Sequence, residues 1–357
     1  MTSETKTPNA AGFDLHVALY EVDDALKAFL LKYAEKMPYS LIYMGKLALG
    51  APGKVMPWRV LAERGEEASL PKWPLFPILS FMASAAPEDR GEWRAALPVA
   101  VAVELAIAAA DLIDEAADHD PSPIIEEYGA GQALNTANLM LVMAQQALLW
   151  EARDGNTYAL KALGVLQDML VEAAVGQHLD MSYEKMGVGE VTPAMSGEMT
   201  DKKAGALMSG AFRMGALMSG ADEHIVELLA KIGRQLGGMA QITNDLQDVL
   251  PQAGDAGMST AKTDLRQRKR TLPVVYALRE EESEPNALQI AFSKPPGSED
   301  EIDEEELRRA IQQAGGLNFA FLVLDVYKGN AAEALDALEA VRSGARDVLA
   351  PVLWWEE

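Results

Sequence analysis

The chain has 357 residues, 49% of them hydrophobic, and 54 acidic against 31 basic side chains give a net charge of −23. This composition excludes a disordered chain and allows a sizeable core in one large domain or two; the charge opposes binding to nucleic acid or anionic lipid. There is no cysteine, which excludes disulfides and thiol catalysis.

Residues 1–12 are polar and read as a flexible tail without the features of a signal peptide, so a cytoplasmic protein is expected. Residues 14–36 carry Leu15, Val17, Leu19, Leu26, Phe29 and Leu30 at helical spacing. The stretch 37–75 is rich in Pro and Gly and gives no assignment. Helical patterns resume at 76–86 and 91–118; the Ala/Val-rich run 97–110 is short and holds Glu104, so a buried helix is expected and no stable membrane insertion. They continue at 129–154, 156–186, 200–219, 222–250, 270–280, 305–328 and 331–354, while the acidic stretch 283–306 reads as an exposed loop. No long period-two alternation and no internal repeat is present. The predicted fold class is all-α: one large helical bundle over 13–357 with a central cavity lined by facing helices.

Two clusters carry chemistry. Asp111, Asp114 and Asp118 recur at i, i+3 and i+7 and share a helix face, with Glu115 at its edge. Gln241, Asn244, Asp245 and Asp248 fall at i, i+3, i+4 and i+7 on a second helix. Polar groups turned together amid apolar neighbours carry a high desolvation cost unless something binds them. A hard divalent cation such as Mg²⁺ suits them, since it takes carboxylate oxygens and keeps waters or phosphates as its other ligands. Just beyond lies the densest basic cluster of the chain: Lys262, Arg266, Arg268, Lys269 and Arg270, interrupted by Asp264. Carboxylates followed by cations point to a metal-bridged diphosphate.

The order of these motifs resembles the trans-isoprenyl diphosphate synthase (polyprenyl synthetase) superfamily. Its second aspartate-rich motif, FQxxDDxxD followed by DLxxGKxTLP, is matched by Gln241, Asn244-Asp245-Leu246-Gln247-Asp248, Asp264-Leu265 and Lys269-Arg270-Thr271-Leu272-Pro273. Its first motif, DDxxD, is matched by Asp114-Glu115-Ala116-Ala117-Asp118, about 130 residues upstream. Between them, Gly176-Gln177-His178-Leu179-Asp180-Met181 resembles GQxxDL and Lys203-Ala204-Gly205-Ala206-Leu207 resembles KTGAL. The resemblance covers roughly residues 76–354 and implies an isoprenoid synthase fold and a homodimer. It implies that Asp114, Glu115, Asp118, Asn244, Asp245 and Asp248 hold Mg²⁺, three ions per site with diphosphate bound. It further implies that Lys203, Gln241, Lys262 and Lys269 bind the diphosphate of an allylic prenyl substrate, with Lys203 and Gln241 serving catalysis.

The departures are as informative. Asn244 replaces an Asp, Glu115 another, and Arg268 stands where the family has Gly. The family's isopentenyl diphosphate site uses GGKRLRP, a His before the first motif and RRG after it; here only Lys72 or Lys54 remains, Ile107 replaces the His, and Asp118 is followed by His119-Asp120-Pro121-Ser122-Pro123. Anchoring a diphosphate normally takes several cations or helix N-termini. The expected activity is therefore prenyl transfer to an acceptor other than isopentenyl diphosphate, and the stretch around DLIDEAADHD is closest to the branch that prenylates bacterial signalling peptides. Two alternatives stay open: a class I terpene cyclase, and a non-catalytic regulatory subunit. At 6% aromatic residues the chain has few rings to line a cyclase cavity. Ala109 and Ala110, before the first motif, suggest a deep substrate pocket.

Overall fold

Stretches rich in Ala, Leu and Met, interrupted by few Pro or Gly, favour helices packed through one face. The computed structural model describes residues 13–34, 73–118, 122–250, 264–279, 285–294 and 303–353, and no strand occurs among them. In chain order the helices are α1 (Leu15–Ala34), α2 (Leu75–Ser84), α3 (Leu97–Asp118), α4 (Pro123–Tyr128), α5 (Ala130–Arg153), α6 (Thr157–Tyr183), α7 (Pro193–Thr200), α8 (Ala206–Met218) and α9 (Glu223–Val249). They continue with α10 (Asp264–Gln267), α11 (Leu272–Ala277), α12 (Ala287–Phe292), α13 (Glu304–Gln313), α14 (Gly316–Val341) and α15 (Ala345–Leu349). A 3₁₀ segment, Pro87–Ala96, leads into α3, and a π-turn, Asp201–Gly205, leads from α7 into α8. The all-α expectation holds.

These residues form two compact units, one drawn from Met1–Asp168, Gly210–Lys231 and Ala334–Glu357, the other from Met169–Ser209 and Ile232–Glu333. The first is built on α3 and α5, which pack against each other along their length. Ala100, Ala102, Ala106 and Ala109 of α3 and Ala133, Ala137 and Ala144 of α5 are fully inaccessible to solvent. Side chains this small let helix axes approach closely. The most apolar window of the 3₁₀–α3 stretch has the length and hydropathy of a membrane span, yet 72% of it is buried within the protein, as expected for a core helix. Every residue of α2 is buried, the pattern of a helix apolar on all sides. Its two serines are satisfied, Ser80 Oγ donating to the Phe212 carbonyl at 2.5 Å and Ser84 Oγ pairing with Ser219 Oγ at 2.7 Å.

The second unit closes over Ile242, Leu246, Leu272, Val274, Leu288, Phe292, Leu307 and Ile311. Tyr276 and Phe319 stack beside this core at 4.3 Å between ring centroids. Three details differ from the sequence reading. The expected loop over 283–306 contains α12, closed by a capping box between Asn286 and Gln289. Its Leu288 and Phe292, four apart, are buried on one face, which the surrounding acidic residues mask in the sequence. The expected helix 305–328 is broken at Gly315 (φ +78°), whereas the expected break near 330 is absent because α14 runs through Gly329. A lone Gly costs a helix only about 1 kcal/mol, too little to end one held by buried neighbours on either side.

Candidate active site

Helix α3 leaves the core at Ala110. Residues 99–109 are buried, whereas Asp111, Asp114, Glu115 and Asp118 are all half-exposed on its last two turns. Their spacing turns Asp111, Asp114 and Asp118 the same way, and the C-terminal end of the helix dipole adds further negative potential. Water-accessible, hard oxygen donors in a negative field fit a Mg²⁺ ion that keeps part of its hydration shell. Among the described residues no three acidic or histidine side chains already converge in a metal-ligand arrangement.

The second cluster is organised differently. Asn244 is exposed on α9, Gln241 is half-buried, and Asp245 is 3% exposed. Asp245 uses both oxygens internally: Oδ1 accepts from Gln241 Nε2 at 2.9 Å, and Oδ2 accepts from the Leu272 backbone N–H at 3.1 Å. Burial pushes its carboxyl up to about 6; those two hydrogen bonds pull the other way, and the nearby acids Asp264 and Asp180 push with the burial. In this structure the buried carboxylate acts as a bracket, its Oδ2 tying α9 to the first turn of α11 while its Oδ1 holds Gln241. Asp248 lies in the last turn of α9, and Lys262 lies outside the described residues.

Cations flank this bracket. Lys203 Nζ lies 2.7 Å from Asp180 Oδ2 on α6, with both side chains less than one-fifth exposed. Lys269 Nζ lies 3.8 Å from Asp264 Oδ1, also under one-fifth exposed. The second unit thus assembles Gln241, Lys203 and Lys269 with the acids Asp180, Asp245 and Asp264. Arg270 points elsewhere, donating to the carbonyls of Met186 (2.9 Å) and Phe292 (3.3 Å) with its guanidinium 4.9 Å from the Phe292 ring centre. Burial draws its pKa down from the usual arginine value, against the pull of Glu184. Arg268, in the place of the family's Gly, is buried and holds φ +58°, the left-handed region that Gly enters without strain.

A family profile described as polyprenyl synthetase matches residues 75–310, a span that holds both clusters and the lysines between them. The chain belongs to the polyprenyl synthetase family. It is an enzyme of prenyltransferase type. A short chain isoprenyl diphosphate synthase of Methanothermobacter thermautotrophicus is 30% identical over 283 residues, 77% of this chain and 83% of that one. A geranylgeranyl diphosphate synthase of Methanosarcina mazei is 28% identical over 69% of this chain and 74% of its own length. The solved polyprenyl synthetase of Streptomyces coelicolor superposes with a TM-score of 0.73 at 26% identity, covering 96% of this chain and 99% of that one.

Within this polyprenyl synthetase, sequence reasoning named the charged groups but missed what holds them. Asp180 and Asp264 were visible only as parts of motifs, not as partners of Lys203 and Lys269. Tyr327, Arg234 and Glu172, which surround the π-turn carrying Lys203, gave no sequence signal because each comes from a different helix.

Proposed function

We propose that this polyprenyl synthetase is a Mg²⁺-dependent prenyltransferase that ionises an allylic prenyl diphosphate and delivers the cation to an acceptor other than isopentenyl diphosphate. The observation that carries the reading is the half-exposed acidic end of α3 followed directly by His119-Asp120-Pro121 rather than by arginines. Asp114, Asp118 and, at the edge, Glu115 would hold magnesium, with Asn244 and Asp248 as a second group of ligands; Asp245 is left out because its oxygens are engaged. Bound magnesium, three ions in the full complement, supplies charge to offset that of the departing diphosphate. Lys203 and Lys269 add positive charge at the diphosphate oxygens, and Gln241 orients them. The allylic C–O bond breaks with its electron pair going to pyrophosphate, and the acceptor's electron-rich carbon forms the new C–C bond and then loses a proton. The exposed apolar side chains Leu134 and Val142 on α5 and Leu160, Val171 and Val175 on α6 suit a homodimer.

The names of the relatives, isoprenyl and geranylgeranyl diphosphate synthases, support the prenyl diphosphate half of this reading. The test is pyrophosphate release from farnesyl or geranylgeranyl diphosphate with and without Mg²⁺, followed by product analysis. Metal-dependent release with little chain extension upon adding isopentenyl diphosphate is the expected result. Efficient extension overturns the choice of acceptor, and cyclic hydrocarbons formed without acceptor favour a cyclase. No metal-dependent turnover of any prenyl diphosphate makes the chain a regulatory subunit.

A further inference from the structure

Lys203 sits in the π-turn Asp201–Gly205, an i→i+5 conformation used mostly as a single widened turn and often found at functional sites. Two helices pinch this turn at backbone contact. A Cβ on Gly176 of α6 would overlap the backbone of Lys202 and Lys203, and one on Gly237 of α9 would overlap the carbonyl of Ala204. Widening a turn removes carbonyls from the ordinary i→i+4 ladder, and such groups need other donors. The Asp201 carbonyl accepts from Arg234 Nη1 at 3.0 Å. Arg234 is itself fixed by a two-pronged pair with Glu172, at 2.9 and 3.1 Å. On the other side, Tyr327 of α14 donates its hydroxyl to Asp201 Oδ1 at 2.8 Å, and its ring fills the space a side chain at Gly238 would need.

We propose that Tyr327, Asp201, Arg234 and Glu172 are positioning residues that hold this π-turn in register and so fix where Lys203 presents its ammonium to the diphosphate. None of the four is part of either metal cluster; they act through Lys203. A slip of one residue in a helical turn rotates a side chain by about 100°. That would carry Lys203 off Asp180 and away from its line of approach, whereas a long lysine stem alone has too much freedom to define one position. The inference rests on the diphosphate role proposed for Lys203.

The test uses Tyr327→Phe, which removes one hydroxyl and keeps the ring, with Asn330→Ala on the same helix as control. Hydrogen exchange in a peptide spanning 200–206 should speed up in Tyr327→Phe and stay unchanged in the control. KM for the prenyl diphosphate should rise about fivefold to tenfold, the scale of one ordinary hydrogen bond, with kcat little altered. In a Lys203→Ala background the same Tyr327→Phe change should have no further effect on KM. Unchanged exchange over 200–206, or an equal loss in the Lys203→Ala background, overturns the proposal. If exchange rises but Lys203→Ala alone leaves KM as in wild type, the four residues still hold the turn while the diphosphate role of Lys203 is withdrawn.

Discussion

The acidic end of α3 and the acidic face of α9 have nearly the same spacing in sequence and opposite physical characters. On α3, Asp111, Asp114 and Asp118 emerge from the core together into partial solvent. On α9, Asn244 reaches solvent while its neighbour Asp245 is sealed in the core, its oxygens taken by Gln241 and Leu272. Helical periodicity tells which side chains share a face; it does not tell which of them the fold leaves open. One cluster leaves its acids open to solvent, and the other uses an acid to join two helices.

The largest effect expected from this contrast is at α3. Asp114→Ala should lower Mg²⁺-dependent pyrophosphate release by roughly 10²–10³, the scale for losing a preorganised electrostatic element. It should leave the fold intact, since removing one acid from a like-charged group relieves repulsion. Loss of the cooperative melt seen by circular dichroism, rather than of turnover, would assign these acids a structural role.

Asp245 should behave in the reverse manner. Its carboxyl is raised to about 6 in the fold against roughly 3.9 when unfolded, so the folded state binds the proton more tightly and stability falls as pH rises from near 4 through 6. By about pH 7 that decline amounts to roughly 3 kcal/mol as an upper figure. Asp245→Asn can keep both hydrogen bonds if Gln241 turns its amide, and it cannot ionise. In metal-free protein at pH 7 it should therefore be more stable than wild type by about 1–3 kcal/mol in urea titration, with the pH slope between 4 and 6 flattened. An unchanged slope, or loss of Mg²⁺-induced stabilisation in the variant, would return Asp245 to the metal ligands.

A third acid gives the smallest effect and the opposite sign. Burial pushes the Glu339 carboxyl up, but backbone N–H groups of Arg346, Gly344 and Ala345 outweigh it and the net pKa is lowered. Gly344 N–H and Arg346 N–H donate at 2.6 and 2.9 Å, capping the start of α15. A lowered acid contributes stability above its unfolded value that is lost as pH falls through the folded one. Glu339→Gln should cost about 1 kcal/mol at neutral pH, the scale of a helix cap, and little in acid. A variant equally destabilised at low and neutral pH would show that packing, not charge, is at work there.

Helix type and rough extent were legible because apolar periodicity survives in the Ala- and Leu-rich segments such as α3 and α9. The membership of α12 was not: two buried side chains inside an acidic stretch are too few to show a period. At the candidate site, motif order in the sequence singled out Asp114, Asp118 and Lys203. It did not show the burial of Asp245, because an inward turn of one residue on an amphipathic face is decided by what packs over it, here the first turn of α11. It could not supply Tyr327, whose hydroxyl meets Asp201 across 126 residues of sequence.

Arg268 occupies a left-handed backbone position where the family pattern has glycine. For an L-residue that conformation costs roughly 1–2 kcal/mol, but glycine would release more chain entropy on unfolding, a penalty of about 0.4–1 kcal/mol. The second tendency offsets only part of the first, so the backbone terms alone favour glycine at the bend before Lys269, by roughly 1 kcal/mol. What arginine adds at this turn is a buried guanidinium. Exchange to glycine would remove that buried charge from the turn leading into Lys269, a change in local electrostatics that the backbone terms do not register.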